Sequence, residues 1–261
     1  MKAPRSRADG ISGYRNNFDR DVDKESNMTT RKFTFRILRF KPGVIDPPRF
    51  QDYSIQVETD MSVLDGFEKI RLEQDKTLMY RHSCHHSSCG TCACKINGRE
   101  MLACITRIVD LKGDTARFTP LDGYKVIGDL VVDTSRFYED IPGNWSYLKQ
   151  SEKTASSQLP AGVTQFQQFE NCIECAACMS ACPVTRTNTD FLGPAVLAAV
   201  NNELKKRPQN RPGLLELAGS NRGERLCTRA LNCSRVCPTR VYPARHIGDL
   251  RRLLKTKRST Y

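Results

Sequence analysis

Residues 172–183 read CIECAACMSACP, and residues 227–238 read CTRALNCSRVCP. The first stretch sets Cys172, Cys175 and Cys178 at intervals of three, follows them with Cys182, and closes on Pro183. Three thiols at that spacing wrap one cubane iron–sulfur cluster, while the fourth, past the turn, serves a second cluster. On the same template the second stretch supplies Cys227, Cys233 and Cys237, with Ala230 standing where another ligand is required. A methyl group cannot coordinate iron. The crossover rule gives Cys172, Cys175, Cys178 and Cys237 to a [4Fe-4S] cluster and leaves Cys182, Cys227 and Cys233 for the other site. Three thiolates suit a [3Fe-4S] cluster, which lacks one corner iron. A [4Fe-4S] cluster with water or another fourth ligand is the competing assignment.

The remaining five cysteines lie in the first half of the chain, with none between Cys104 and Cys172. Cys84-x4-Cys89-x2-Cys92, completed by Cys104, carries the plant-type [2Fe-2S] spacing. Gly90 has no Cβ to keep backbone amides away from sulfide, and Ser87, Ser88 and Thr91 suit a tight loop. Cys94 is surplus and is expected to be a packed thiol. Structural zinc uses sets of four Cys or His, commonly as pairs separated by a loop, and the closely spaced run at 172–182 fits that pattern poorly. His82, His85 and His86 are expected to be loop residues hydrogen-bonding near the first site, because four cysteines suffice without a Rieske-type pair of histidines. His246 is expected on a helix surface.

Outward from these motifs, KFTFRILRF (32–40) and YSIQV (53–57) alternate as strands do, and 61–70 shifts to helical spacing with Val63, Leu64, Phe67 and Ile70 on one face. Ser62 or Asp60 could cap that helix. Residues 102–109, 116–118, 124–127 and 130–132 read as further short strands, whereas 193–204 and 213–218 read as helices. The expected fold class is α+β. A polar extension (1–31) precedes a [2Fe-2S] ferredoxin-like, β-grasp domain (32–140). A Pro/Gly/Ser-containing linker (141–165), an all-helical bacterial-ferredoxin-like domain (166–250) and a basic tail (251–261) follow.

The 261 residues include 12 cysteines and carry a formal charge of +12. Structural disulfides are disfavoured for an unexported chain. No stretch approaches the roughly 20 apolar residues of a membrane span, and no export address is expected from the N-terminal residues. Charge alone suggests nucleic acid, but the interleaved aromatic and basic residues of such surfaces are weak here, so no nucleic-acid partner is expected. Dinucleotide, P-loop and nucleophile-elbow motifs do not occur. The chemistry visible is electron transfer, with no catalytic residue in this chain.

In order and spacing, these motifs resemble the iron–sulfur subunit of succinate dehydrogenase and fumarate reductase. The resemblance rests on MSVLDGFEKI (61–70), HSCHHSSCGTCACKINGREMLACIT (82–106), PLDGYKVIGDLVVD (120–133), CIECAACMSACP, DFLGPAVLAA (190–199) and CTRALNCSRVCP. It implies [2Fe-2S] ligation by Cys84, Cys89, Cys92 and Cys104 and agrees with the [4Fe-4S] and [3Fe-4S] sets given above. It further implies an FAD-bearing partner that interconverts succinate and fumarate, and a membrane anchor subunit with a quinone site. FAD, and haem b where the complex has it, would belong to those partners. The chain would then lie peripherally on the cytoplasmic face of the membrane.

Family members of the succinate dehydrogenase type usually place Trp and His near the quinone, where this sequence has Thr187 and Thr228 beside a retained Pro183. Fumarate reductase-like members also lack that Trp and His, so the resemblance holds, and by it Pro183, Thr187 and Thr228 mark the expected quinone neighbourhood. The CHHSSC loop also departs from the family's commoner Arg-x-Gly pattern. The alternative reading is the iron–sulfur subunit of a related flavoenzyme with a different or soluble, thiol-linked redox partner. Eleven thiolates and three oxidised cores would add roughly −6, so the basic balance largely offsets buried negative clusters.

Overall fold

A computed structural model describes residues 30–139, 172–206 and 208–258. The expected linker and nearly all of the N-terminal extension lie outside them.

The first domain is built on β1 (Arg31–Lys41), which puts Phe33, Phe35 and Ile37 inward at every second position. Strand β2 (Ile45–Val57) pairs antiparallel with it, and β5 (Thr115–Thr119) pairs parallel. Strands β3 (Ala93–Ile96) and β4 (Arg99–Leu102) complete the sheet in the order β2-β1-β5-β3-β4. Helix α1 (Val63–Glu73) covers one face with the apolar positions read from the sequence. Its N-cap is Ser62, which exchanges hydrogen bonds with Asp65 in a capping box. Phe35 stacks on Phe118 at 4.7 Å, and Phe67 meets both rings edge-on. A small ribbon of β6 (Lys125–Gly128) and β7 (Val131–Asp133) and the short α2 (Arg136–Glu139) follow.

Two expectations need correction here, and one hairpin was not among them. Residues 102–109 are not one strand: Leu102 ends β4, and Ala103–Ile105 and Ile108–Asp110 are 3-10 turns, the first closed by the Thr106 hydroxyl donating to the Leu102 carbonyl at 2.7 Å. The hairpin β3–β4 was missed, although Asn97 and Gly98, with φ of 51° and 82°, form the Asn-Gly turn that favours hairpins. Strand β2 also begins well before residue 53. Pro47 and Pro48 argue against a central strand but are tolerated at the sheet edge, where β2 lies.

The inward position after Ile37 on β1 belongs to Arg39, a fully buried guanidinium. Asp75 lies 2.5 Å away, Asp129 lies 3.0 Å away, and Tyr53 contacts the same group. Asp129 also accepts the backbone N–H groups of Phe40 and Met79, each at 2.8 Å. Burial is the largest influence on Asp75 and pushes its pKa up, but the hydrogen bonds from Thr77, Tyr53 and Arg39 outweigh it and hold it well below the carboxylate range.

The described part of the second domain is helical: α3 (Ala177–Ser180), α4 (Pro183–Thr187), α5 (Gly193–Lys206), α6 (Arg211–Gly219), α7 (Asn232–Arg235) and α8 (Pro243–Arg258). Residues Gly193 through Leu204 of α5 are all buried, making it the central helix. The position assigned to a basic tail from residue 251 falls inside α8. Arg251 there is engaged rather than free, pairing with buried Glu224 at 2.6 Å and donating to the Cys227 carbonyl at 3.2 Å. His246 is also inside, at 6% exposure, because α8 turns that face onto α5, where Asn201 Nδ2 donates to its Nδ1 at 2.9 Å.

Polar contacts join the domains, the innermost of them at Ser180. The Ser180 hydroxyl donates to Glu100 at 2.8 Å and accepts the Asp122 N–H at 2.9 Å. Arg136 reaches the Thr189 carbonyl at 2.9 Å, and Asp122 is flanked by Lys95 at 2.5 Å and Arg186 at 3.2 Å.

Candidate iron–sulfur sites

Cys84, Cys89 and Cys92 lie on the loop between α1 and β3, and the 3-10 turn after β4 returns Cys104 to them. Left-handed residues His85, Ser87 and Gly90, with φ of 60°, 63° and 71°, curl this loop. The curl aims the N–H groups of Ser88 and Cys89 at Cys84 Sγ, 3.2 and 3.4 Å away. Cys84 is in side-chain contact with Cys89, and Cys92 with Cys104. The N–H of His86 leads the donors that hold the Cys84 thiol down to about 7, whereas burial pushes Cys92 up to about 12. Cys94 lies enclosed on β3, its thiol raised by burial. His82, His85 and His86 are exposed, and the His86 ring donates to the Cys84 carbonyl.

The seven cysteines of the second domain divide between two recesses. One is lined by Cys172, Cys175, Cys178 and Cys237 together with Phe137, Ile173 and Val241. The other is lined by Cys182, Cys227 and Cys233 together with Phe191, Pro194 and Ile247. Burial in these apolar walls is the largest cause raising Cys172 to about 12 and Cys175 and Cys233 to about 11. Backbone N–H groups oppose the rise, from Glu174 onto Cys172 and from Ala177 onto Cys175. The Val241 N–H likewise points at Cys237 Sγ, 3.2 Å away. Cys178 and Cys233 are close enough to influence each other electrostatically, so the two recesses adjoin.

The two cysteine motifs share one backbone shape. Glu174 and Ala176 are left-handed at φ 54° and 63°, and Arg229 and Leu231 repeat this at 61° and 62°. Ala176 and Leu231 then cap α3 and α7 with the same φ and ψ to within a degree. Position 230 therefore takes the place in its loop that Cys175 takes in the first. Pro183 and Thr228 line the three-cysteine recess. Thr187 is exposed on α4, and its hydroxyl turns back to the carbonyls of Pro183 and Val184 at 3.2 and 3.3 Å.

The first loop meets the four-cysteine motif at Gly90. A Cβ there would sit 2.6 Å from the Ile173 carbonyl oxygen and 2.7 Å from Cys175 Cβ. From the sequence Gly90 is expected only to let local amides approach sulfide; nothing in the spacing signals its place between the domains. Soft thiols supplied with backbone N–H groups, on a half-exposed loop in the first domain and in apolar recesses in the second, form the donor set that iron–sulfur clusters take. The residues present fit such groups at all three places.

Comparison with known proteins agrees with this chemistry. The family described as a 2Fe-2S iron-sulfur cluster binding domain matches residues 34–139, and the family described as a 4Fe-4S dicluster domain matches residues 168–241. The fumarate reductase iron-sulfur subunit of Mycobacterium tuberculosis is 34% identical over 219 residues, covering 82% of this chain and 89% of that protein. The mitochondrial succinate dehydrogenase [ubiquinone] iron-sulfur subunit of Candida glabrata is 31% identical over 229 residues, covering 85% and 90%. Among solved structures, a chain of the Mycobacterium smegmatis Sdh1 complex in the apo form matches with a TM-score of 0.75 at 26% identity, covering 88% of this chain and 98% of that one. Among the described residues no helix is long and apolar enough to cross a membrane. The chain belongs to the iron–sulfur subunit family of succinate dehydrogenase and fumarate reductase, and it is the electron-transfer subunit of a complex of that type.

Proposed function

We propose that this subunit relays electrons between an FAD-bearing partner acting on succinate or fumarate and a quinone site at a membrane anchor. In this reading Cys84, Cys89, Cys92 and Cys104 hold [2Fe-2S], Cys172, Cys175, Cys178 and Cys237 hold [4Fe-4S], and Cys182, Cys227 and Cys233 hold [3Fe-4S]. When bound, these groups supply one-electron carriers that connect two-electron flavin chemistry to quinone. The first domain (32–140) faces the flavoprotein. The helical domain (166–250), joined to it by residues 141–165, faces the anchor on the cytoplasmic side of the membrane, with Pro183, Thr187 and Thr228 near the quinone.

The single observation that carries the reading is the division of seven cysteines into adjoining recesses of four and three, with Ala230 at the position that Cys175 occupies in the twin loop. The chain's own residues set the carriers' properties. Apolar walls exclude water, backbone N–H groups placed on the sulfurs favour the more negative state, and Gly90 permits close approach of the first loop to the second motif. Cys233→Ser in the intact complex tests the order. It is expected to remove the three-iron EPR signal and abolish succinate-driven quinone reduction while flavin reduction by succinate persists. Continued quinone turnover without that signal would refute the sequence of carriers.

A further inference from the structure

Three metal-ligating side chains converge beside the first cysteine loop and play no part in holding a cluster. His82 Nδ1 and His85 Nε2 lie 3.1 Å apart. Glu68 Oε1, projecting from α1, lies 3.7 Å from the first and 3.8 Å from the second. The three atoms fall within one small sphere, as the ligands of a single ion do. We infer that Glu68, His82 and His85 form a binding site for a divalent transition metal of the zinc class.

The spacing separates this reading from a plain hydrogen-bonded cluster. A hydrogen bond can join the two rings, while the carboxylate oxygen is within ion-pair range of both but beyond hydrogen-bond distance. A tetrahedral zinc ion with bonds of about 2.0–2.1 Å has ligand atoms about 3.3–3.4 Å apart. The observed edges bracket that value. Closing the triangle onto an ion therefore needs only a few tenths of an ångström of side-chain movement. Two imidazoles and one carboxylate are a ligand set suited to zinc, with copper and nickel as competitors of the same type.

The surroundings hold the ligands in place. The His82 ring packs on Tyr80 with centroids 5.5 Å apart, and Tyr80 packs in turn on Phe67 of the core at 5.5 Å. His85 is left-handed at φ 60°, which turns its ring onto His82, while the ring of its neighbour His86 goes to the Cys84 carbonyl instead. The three side chains are 34%, 37% and 42% exposed for Glu68, His82 and His85. Their outer side faces solvent, leaving the fourth position for water and making the site open and exchangeable. A metal there ties α1 to the loop that carries Cys84.

The test uses the intact complex with its clusters in place. It is stripped with a mild chelator, equilibrated with zinc chloride, freed of unbound metal and assayed for zinc per chain. Wild type is expected to retain one zinc more than Glu68→Gln, and His82→Gln is expected to behave like Glu68→Gln. Loss of one ligand should weaken binding by at least about tenfold, the lower end of what even an outer-shell change costs. Glu73→Gln, an exposed carboxylate on the same helix, should retain the metal. An unchanged cluster EPR spectrum shows that each variant is folded. Zinc-edge X-ray absorption should give nitrogen and oxygen neighbours at about 2.0–2.1 Å and no sulfur at about 2.3 Å. No zinc on wild type, equal zinc on all variants, or sulfur neighbours would each overturn the inference. This outcome does not depend on the path of electrons.

Discussion

Replacing Gly90 by alanine tests the contact between the two domains most sharply. Gly90 has φ +71° and faces the Ile173 carbonyl at 2.6 Å and Cys175 at 2.7 Å from the position of a Cβ. The left-handed conformation alone costs an L-residue about 1–2 kcal/mol. The steric conflict is with backbone and a short side chain, which cannot rotate away, and overpacking of this kind costs about 1–3 kcal/mol more. Gly113→Ala separates the two costs, because Gly113 has φ +75° and nothing within 4 Å of its Cβ position. Gly113→Ala should therefore lose only the conformational part. Gly90→Ala should lose about 2–5 kcal/mol in total, with faster amide exchange across 172–178 and slower electron passage out of the first cluster. The assay is denaturant stability of the holoprotein, followed by hydrogen exchange resolved to that segment. Equal losses for the two variants, with exchange across 172–178 unchanged, would refute the close approach.

Other expectations follow from the same geometry. Asp129→Ala leaves the Arg39 guanidinium buried with one of its two carboxylates and should cost about 3–5 kcal/mol, the usual range for breaking a buried pair, measured by denaturant titration. Ser180→Ala removes a hydrogen-bond donor from buried Glu100 and an acceptor from the Asp122 N–H, and should cost about 1–3 kcal/mol. A loss below a few tenths of that would mean the domain junction is wet. His246 is depressed to about 4, chiefly by burial and then by Lys205. The unfolded chain therefore binds the proton first as pH falls, so the contribution is complete above about pH 6.5 and lost between there and about pH 4, amounting to roughly 3 kcal/mol. His246→Gln should flatten that part of the stability–pH curve; an unaltered slope would assign the acid sensitivity elsewhere.

The cluster motifs were the most legible part of the sequence because iron ligation constrains spacing more tightly than packing does. Alternation at Phe33, Phe35 and Ile37 and the helical face of Val63, Leu64, Phe67 and Ile70 were equally readable, since each period follows from backbone geometry. The hairpin β3–β4 was hidden because each strand has only four residues, too few for alternation to show around the Asn97-Gly98 turn. Cys104 was readable as a ligand candidate but not as part of a 3-10 turn, which short apolar runs do not distinguish from a strand. Arg39 and His246 look like surface residues in sequence. Only tertiary contact with Asp75 and Asp129, or with α5, makes them interior. The meeting of Glu68 with His82 and His85 depends on how α1 lies against the loop, which no spacing rule supplies.

The central claim is that the Cys182, Cys227 and Cys233 recess takes a three-iron cluster because Ala230 replaces a ligand. EPR of the air-oxidised complex tests it directly, comparing wild type with Ala230→Cys. An oxidised three-iron cluster is paramagnetic, whereas the oxidised two-iron and four-iron clusters are silent. Wild type should show the three-iron signal, and Ala230→Cys should lose it as the fourth iron is taken up. A silent wild type, or a signal unchanged in Ala230→Cys, would contradict the account.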